Sequence, residues 1–207
     1  MRIVKTIIRA AAVAGMLGPV LFAVVLLALS AIEYDFMLGI GWRPLHDPAG
    51  AWPSGLALGP YGRLQIWSFV LSGFLVIVFA VGLHFGVSGG RGSLAGPALL
   101  FVAGTALALI AFETDPIRRT GPRTLHGWIH DAAFVLFVIA VLAAFFFLWQ
   151  RLRKDSRWRG HARYTLVTGV LAALLLLMPG IAYYLFLLVV LAWFEVTALR
   201  LWRFYGP

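Results

Sequence analysis

The sequence predicts an all-α, polytopic membrane bundle of six transmembrane helices with both termini in the cytoplasm. Three observations predict it. Hydrophobic residues make up 62% of the 207 residues and charged residues only 12%, which excludes an ordinary soluble domain. Apolar runs of membrane-crossing length recur along the chain, and most basic residues fall between alternate runs. A helix bundle integral to the cell membrane is therefore expected.

Six apolar runs approach the roughly 20 residues that a helix needs to cross a bilayer core. The fifth run is short and ends at Pro179-Gly180, a turn signal. One kinked element over 164–201 would leave five crossings, but about 38 residues far exceed one crossing. With no linker to divide the chain, a single bundle over 1–207 is predicted. The predicted spans are 10–32, 61–85, 94–112, 125–149, 164–178 and 181–201.

Basic residues set the predicted orientation and exclude some function classes. Seventeen Lys and Arg against eight Asp and Glu give a net charge of +9. Twelve of the 17 basic residues lie on the side of the termini, so the positive-inside rule places both termini in the cytoplasm. No polar segment can carry a basic face, which excludes nucleic-acid binding. The chain has no cysteine, which excludes thiolate nucleophiles and Cys-ligated metals.

Ionisable and aromatic residues collect at the predicted outer end of the bundle. Because a charge in hydrocarbon is costly, such a collection indicates a partner or a function. His126 and His130 are spaced i,i+4 and are expected on one helix face, with Gly127 leaving room for a close approach. The residues of this candidate site are Glu33, Tyr61, Arg63, Glu113, Asp115, Arg119, His126, Trp128, His130 and Asp131.

Three interpretations of this site stay open. In the first, His126, His130 and Asp115 bind zinc or another divalent metal, although the Glu of the zinc-protease signature is absent between the histidines. In the second, a metal-free site performs acid/base chemistry. In the third, the same groups only brace loops and helices. Since carboxylates predominate and no third nitrogen ligand is evident, a site without a cofactor is favoured over the metal site.

The leading functional hypothesis is a membrane-embedded enzyme that hydrolyses, isomerises or cyclises a lipophilic substrate from the outer leaflet. Asp115 or Glu113 would donate or accept the proton, and His130 would orient the substrate or act as the second acid/base group. Arg63 or Arg119 would bind an anionic head group. His126, Asp131 and Glu33 would complete the catalytic set, and Trp128 and Tyr61 the substrate contacts. The alternatives are a non-catalytic lipid or amphiphile binder or carrier, a zinc-type membrane hydrolase, and a scaffold.

Other features carry narrower expectations. The outer loop, residues 33–60, is longer than a connection needs and is expected either to fold back as a lid or to stay loose. Glu195 lies inside the sixth span, where a carboxylate is expected to pair, for example with Arg200, or to function. His161 is expected to be solvated in the basic inner loop. Membrane lipids and a lipophilic small molecule are the expected partners.

Several short motifs resemble one family. They are Ala57-Leu58-Gly59-Pro60-Tyr61-Gly62-Arg63-Leu64-Gln65, Phe112-Glu113-Thr114-Asp115-Pro116 and Thr124-Leu125-His126-Gly127 with His130. Together they resemble the membrane family catalogued as domain of unknown function 998. The resemblance implies a multi-helix bundle with an outward Asp/His site and supplies no reaction. Arg63 stands where the family often has an aromatic residue and Glu113 where Pro is common, so this chain carries extra charge at the outer mouth.

Overall fold

The protein is all-helical throughout the part of the chain that the structure, a computed structural model, describes: residues 2–42, 52–87, 94–116, 121–178 and 182–206. These residues form seven α-helices and two short 3-10 helices, and no strand occurs among them. The α-helices are α1 (Arg2–Ile32), α2 (Tyr34–Gly39), α3 (Gly62–Gly86), α4 (Ala95–Leu109), α5 (Leu125–Leu152), α6 (Arg159–Leu176) and α7 (Ala182–Tyr205). The 3-10 helices are Pro53–Leu58 and Ser156–Trp158.

Helix length and composition identify a multi-pass membrane protein. α1, α3, α5 and α7 are each long and apolar enough to cross a membrane. α4 is apolar but has only 15 residues, and α6 has 18 residues of which the first five include Arg159 and Arg163. Residues 164–201 contribute to two helices, α6 and α7, rather than to one kinked element.

The six long helices pack in a ring in which each helix contacts the next along the chain and α7 returns to α1. Small residues allow the close contacts. A Cβ atom added to Gly73 of α3 would lie 2.5 Å from the carbonyl oxygen of Gly104 in α4, so these two backbones touch. A Cβ atom added to Gly15 of α1 would lie 2.9 Å from Ala198 of α7. Glycine contacts therefore join α3 to α4 and α1 to α7 in the ring.

Hydrogen bonds between α6 and α7 fix these helices as antiparallel neighbours. The Trp193 indole donates to Thr165 Oγ1 (3.0 Å), and His161 Nε2 lies 2.9 Å from Thr197 Oγ1. Since the Thr197 hydroxyl donates to the Trp193 carbonyl, His161 is the donor to Thr197. His161 is buried, with 5% of its surface exposed, so its expected solvation is wrong. Its ring packs against Trp158 and fills the space between the two helices.

Arginine side chains cap helix C-termini at the end of the ring that carries both chain termini. Arg151 of α5 donates to the carbonyls of His84 (2.7 Å) and Val87 (2.8 Å) at the end of α3. Arg9 of α1 donates to the carbonyls of Tyr205 and Gly206 at the end of α7. These guanidinium groups satisfy carbonyls that a helix end leaves without partners.

Glu195 of α7 makes no ion pair with any described residue, so the expected pairing with Arg200 is not made. Arg200 instead donates to the Arg157 carbonyl and lies over the ring of Trp158. The guanidinium of Arg200 therefore binds the connection between α5 and α6 and does not pair with Glu195.

Candidate functional site

A cavity of about 330 Å³ lies inside the ring, in the half away from the chain termini. Residues of α1, α3, α4, α5 and α7 line it, together with the first residues of the 3-10 helix Pro53–Leu58. Most lining side chains are aliphatic or aromatic. The lining residues with polar side-chain groups are Trp52, Ser54, Ser72, Thr114, His130, Asp131 and Tyr183.

The cavity runs along the helices and reaches the surface of the protein. Val76 lines it 14 residues into α3, which corresponds to about 20 Å along that helix. Val135 also lines it, although 52% of Val135 is exposed, so the cavity opens at the surface beside this residue. That opening is about 15 Å along α5 from Leu125. The cavity is thus accessible from the side of the bundle.

Aromatic contacts lie at the end of the cavity near the outer loop. The ring of Trp52 meets the ring of Tyr183 edge to face, with centroids 4.5 Å apart, and lies 5.8 Å from the ring of Phe134. The 3-10 helix that follows Trp52 packs on α1 and α3. The last part of the outer loop therefore covers the cavity; whether it moves as a lid stays a prediction.

His130 lines the cavity, and its Nδ1 binds the end of α4. Its Nδ1 lies 2.9 Å from the Ile110 carbonyl oxygen and 2.8 Å from that of Phe112. Because both oxygens are acceptors, Nδ1 carries the hydrogen in the neutral ring and Nε2 carries the lone pair. The residue is 5% exposed and lines the cavity. A buried side chain that lines the mostly apolar cavity thus has its tautomer fixed by the end of α4.

Asp115 caps α5 and does not line the cavity. Its carboxylate accepts hydrogen bonds from the Thr124 amide (3.1 Å) and the Thr124 hydroxyl (2.6 Å), and the Nε of Arg123 lies 3.9 Å away. Thr124 in turn accepts from the amide of Gly127 and is the N-cap of α5. A Cβ atom at position 127 would lie 2.6 Å from Asp115 Cγ, so glycine makes room for the carboxylate. Negative charge at a helix N-terminus is stabilising.

Glu33 occupies the corresponding position at the start of α3. Its Oε1 accepts from the Tyr61 amide (2.6 Å), and a Cβ atom added to Gly59 would lie 2.6 Å from its Cδ. The side chain is buried, and its Oε2 has no hydrogen-bond partner among the described residues. Two of the four predicted carboxylates, Glu33 and Asp115, therefore lie at helix N-termini, each against a glycine.

The remaining charged residues of the predicted site lie around the cavity mouth or outside it. Asp131 lines the cavity and pairs with Arg123, whose guanidinium lies 4.7 Å from the ring centroid of Trp128. His126 is exposed, contacts the ring of Phe112 and does not line the cavity. Four other members of the predicted site are exposed and do not line the cavity: Tyr61, Arg63, Glu113 and Trp128. Arg119 lies outside the described residues.

No three His, Asp or Glu side chains come close enough to hold a metal ion in the five described ranges. The predicted ligands His126, His130 and Asp115 therefore do not form such a group. Sequence reasoning also missed lining residues, among them Ser72 and Tyr183. For Ser72 a signal existed, since it continues the i,i+3/i+4 stripe of Phe69 and Val76, which faces the inside of the ring.

Comparison with known proteins yields a family and no characterised relative. No curated protein and no solved structure matches the chain. A family model described as "Protein of unknown function (DUF998)" matches residues 16–201, which extend from α1 into α7. This match confirms the family indicated by the sequence motifs. The chain therefore belongs to the DUF998 family.

Proposed function

We propose that this protein binds a lipophilic molecule in the cavity inside its helix ring, as a binder or carrier in the membrane. The cavity itself carries the proposal. Its volume of about 330 Å³ falls within the range of small-molecule sites, and its mostly apolar lining with a few convergent polar groups is typical of them.

The fixed positions of the carboxylates favour binding over acid/base catalysis. A general acid or base must reach the reacting atom in the bound substrate. Asp115 and Glu33 instead accept hydrogen bonds at the starts of α5 and α3, away from the cavity lining. Of the predicted catalytic residues only His130 and Asp131 line the cavity, and Asp131 is paired with Arg123.

Six membrane crossings with cytoplasmic termini make up the topological part of the proposal. α4 runs antiparallel to α5: a Cβ atom at Gly96 would touch Leu148, whereas the Phe112 carbonyl binds His130. The 18-residue separation of Leu148 and His130 corresponds to about 27 Å, close to the bilayer core. A ligand that uses the opening beside Val135 would then come from the membrane interior.

Basic residues support the orientation, because cytoplasmic loops are rich in Lys and Arg. Among the described residues, the basic side chains near the end that carries the termini are Arg2, Lys5, Arg9, Arg151, Arg153, Lys154, Arg157, Arg159, Arg163, Arg200 and Arg203, whereas the opposite end has Arg63 and Arg123. Since the chain has no cysteine, a single introduced cysteine can show which side of the membrane an end of the ring faces.

Gly121 and Gly160 form a matched pair for this labelling experiment. Both are exposed, lie at opposite ends, and have no atom within 4 Å of an added Cβ. We expect a membrane-impermeant maleimide to label Gly121→Cys on intact cells and to label Gly160→Cys only after permeabilisation. The reverse pattern would contradict the orientation.

A cavity-filling substitution tests the binding proposal. Val76 lines the cavity, whereas Val81 lies on the outer surface of the same helix, so Val76→Phe and Val81→Phe are matched variants. We expect lipophilic molecules that copurify with the wild type, measured by native mass spectrometry, to be lost from Val76→Phe and retained by Val81→Phe. The fold should persist because the cavity accommodates the larger side chain. Equal retention by both variants would contradict binding in the cavity.

One observation favours acid/base catalysis as a second candidate function. His130 lines the cavity and is held through Nδ1 by two carbonyls, which leaves Nε2 as the basic nitrogen, an arrangement that suits a general base. Under this alternative, copurified lipid would be converted during long incubation, and His130→Asn would stop the conversion while His126→Asn would not. Unchanged lipid would leave binding as the function.

A further inference from the structure

We propose that the cavity selects a neutral amphiphile whose head group donates a hydrogen bond, such as a long-chain alcohol, and discriminates against long-chain carboxylates. This inference rests on the proposed binding function and names its ligand class. It differs from the anionic head group that Arg63 and Arg119 suggest in the sequence.

The first step of the argument is the hydrogen-bonding character of His130. Two carbonyl oxygens within 2.9 Å of Nδ1 fix the ring proton there, so a side chain that lines the cavity has its hydrogen-bond acceptor at Nε2. A hydroxyl donates to such a nitrogen, whereas a carboxylate has no hydrogen to donate. Leaving a buried acceptor without a donor is unfavourable, so the histidine discriminates between head groups.

The second step is the charge around the cavity. No Lys or Arg occurs among the described residues that line it, and its one charged lining residue is the acidic Asp131. Arg123, which precedes the N-cap of α5, pairs with Asp131 and approaches Asp115. Arg63 is exposed and does not line the cavity. An anionic head group would therefore lose its hydration without gaining a counter-ion.

The same ion pair disfavours a cationic head group. Asp131 is already neutralised by Arg123, and about a third of the side chain of each residue remains exposed to solvent. The other polar side-chain groups near this end are neutral and belong to Thr114, Ser54, Trp52 and Tyr183. A neutral head group that donates to His130 thus fits the local charge without breaking an ion pair.

The third step is the placement of the polar and apolar parts of the cavity. Beyond His130, the deeper lining comes from apolar side chains that include Phe137 of α5, Val76 of α3 and Phe194 of α7. A ligand with its hydroxyl at His130 would therefore place its hydrocarbon chain toward the centre of the bundle. Burying that chain supplies about 25 cal/mol per Å² of apolar surface, and His130 supplies the selectivity.

Matched probes test this inference on the full-length protein in nanodiscs. Dodecanol, dodecanoate and dodecylamine share one chain length and differ in the head group. At pH 8 we expect dodecanol to bind at least tenfold more tightly than dodecanoate or dodecylammonium, measured by native mass spectrometry after release. His130→Leu should remove most of the preference for dodecanol over dodecanoate, whereas the exposed control His126→Leu should retain it.

The outcomes separate the inference from the proposed function. If no probe binds the wild type more tightly than it binds Val76→Phe, the proposed function fails. If the probes bind in the cavity but dodecanoate equals or exceeds dodecanol, only the head-group inference fails. Tightest binding of dodecylammonium would also overturn it, because Asp131 would then act as a free anion. Even if His130→Leu does not fold, the comparison of the three probes on the wild type tests the head-group inference.

Discussion

The contact of Asp115 with the start of α5 makes its structural role measurable. Its side chain is 6% exposed and accepts hydrogen bonds from both the amide and the hydroxyl of Thr124. Asp115→Ala leaves these donors without their acceptor. Loss of a cap costs about 1 kcal/mol, and a hydrogen bond to a charged group contributes about 1.5–3 kcal/mol. We expect the substitution to lower the free energy of unfolding by about 2–3 kcal/mol.

Gly127→Ala should act through the same carboxylate. The new Cβ would lie 2.6 Å from Asp115 Cγ, so the carboxylate must leave its position. The lost cap is offset by about 1 kcal/mol because alanine is the better helix former, which leaves a net cost of about 1–2 kcal/mol. Asp115→Ala should then cost almost nothing in the Gly127→Ala background, a coupling of about 2 kcal/mol.

Denaturant unfolding of the wild type, the two single variants and the double variant in detergent micelles measures this coupling. Gly160→Ala is the control, because an added Cβ there meets no atom within 4 Å and should not destabilise the protein. Additive costs of the two substitutions would refute the steric link between Gly127 and Asp115. Unchanged stability of Asp115→Ala with lost ligand binding would refute the capping role and favour a functional carboxylate.

Three further predictions concern other parts of the ring. Gly104→Ala should destabilise the protein by at least about 2 kcal/mol in micellar unfolding, because its Cβ would lie 2.7 Å from the Gly73 carbonyl oxygen; unchanged stability would contradict the α3–α4 contact. Arg151→Met should lower the melting temperature by leaving the terminal carbonyls of α3 unpaired, and a retained temperature would show that water replaces the cap. His161 precedes the apolar part of α6; burial and the nearby Arg200 lower its pKa to about 4 from an ordinary 6.5. On acidification the unfolded chain therefore binds a proton at this histidine before the folded protein does. The free energy of unfolding should be highest above pH 6.5 and should fall by up to about 3 kcal/mol toward pH 4. His161→Gln should reduce this dependence of the free energy of unfolding on pH.

The helices could be predicted because the physics that sets them is local. Each predicted span corresponds to one long helix, and the span 125–149, for example, corresponds to α5, Leu125–Leu152. Hydrocarbon thickness sets the length of an apolar run, and polar residues mark its ends. The ring order of the helices was not accessible in this way, because it depends on contacts such as Gly73 with Gly104 between distant parts of the chain.

The environment of the histidines could not be predicted from their spacing. Residues i and i+4 share a helix face, yet His126 is exposed and His130 is buried. The difference arises because α4 ends beside His130 and supplies two unpaired carbonyls at that level only. The residue pattern of one helix does not show where the neighbouring helix ends.

The two carboxylates show why the candidate site was only partly predictable. An acidic residue beside a helix start has the same sequence pattern whether it transfers protons or caps the helix. The glycines distinguish these roles once the structure is known, since Gly59 lies against Glu33 and Gly127 against Asp115. Both glycines belong to the motifs that resemble the family, so those motifs have an architectural explanation. The ligand of this chain should then depend on the cavity lining around His130, outside most of the motif residues, and substitutions there should change ligand choice without disturbing the ring.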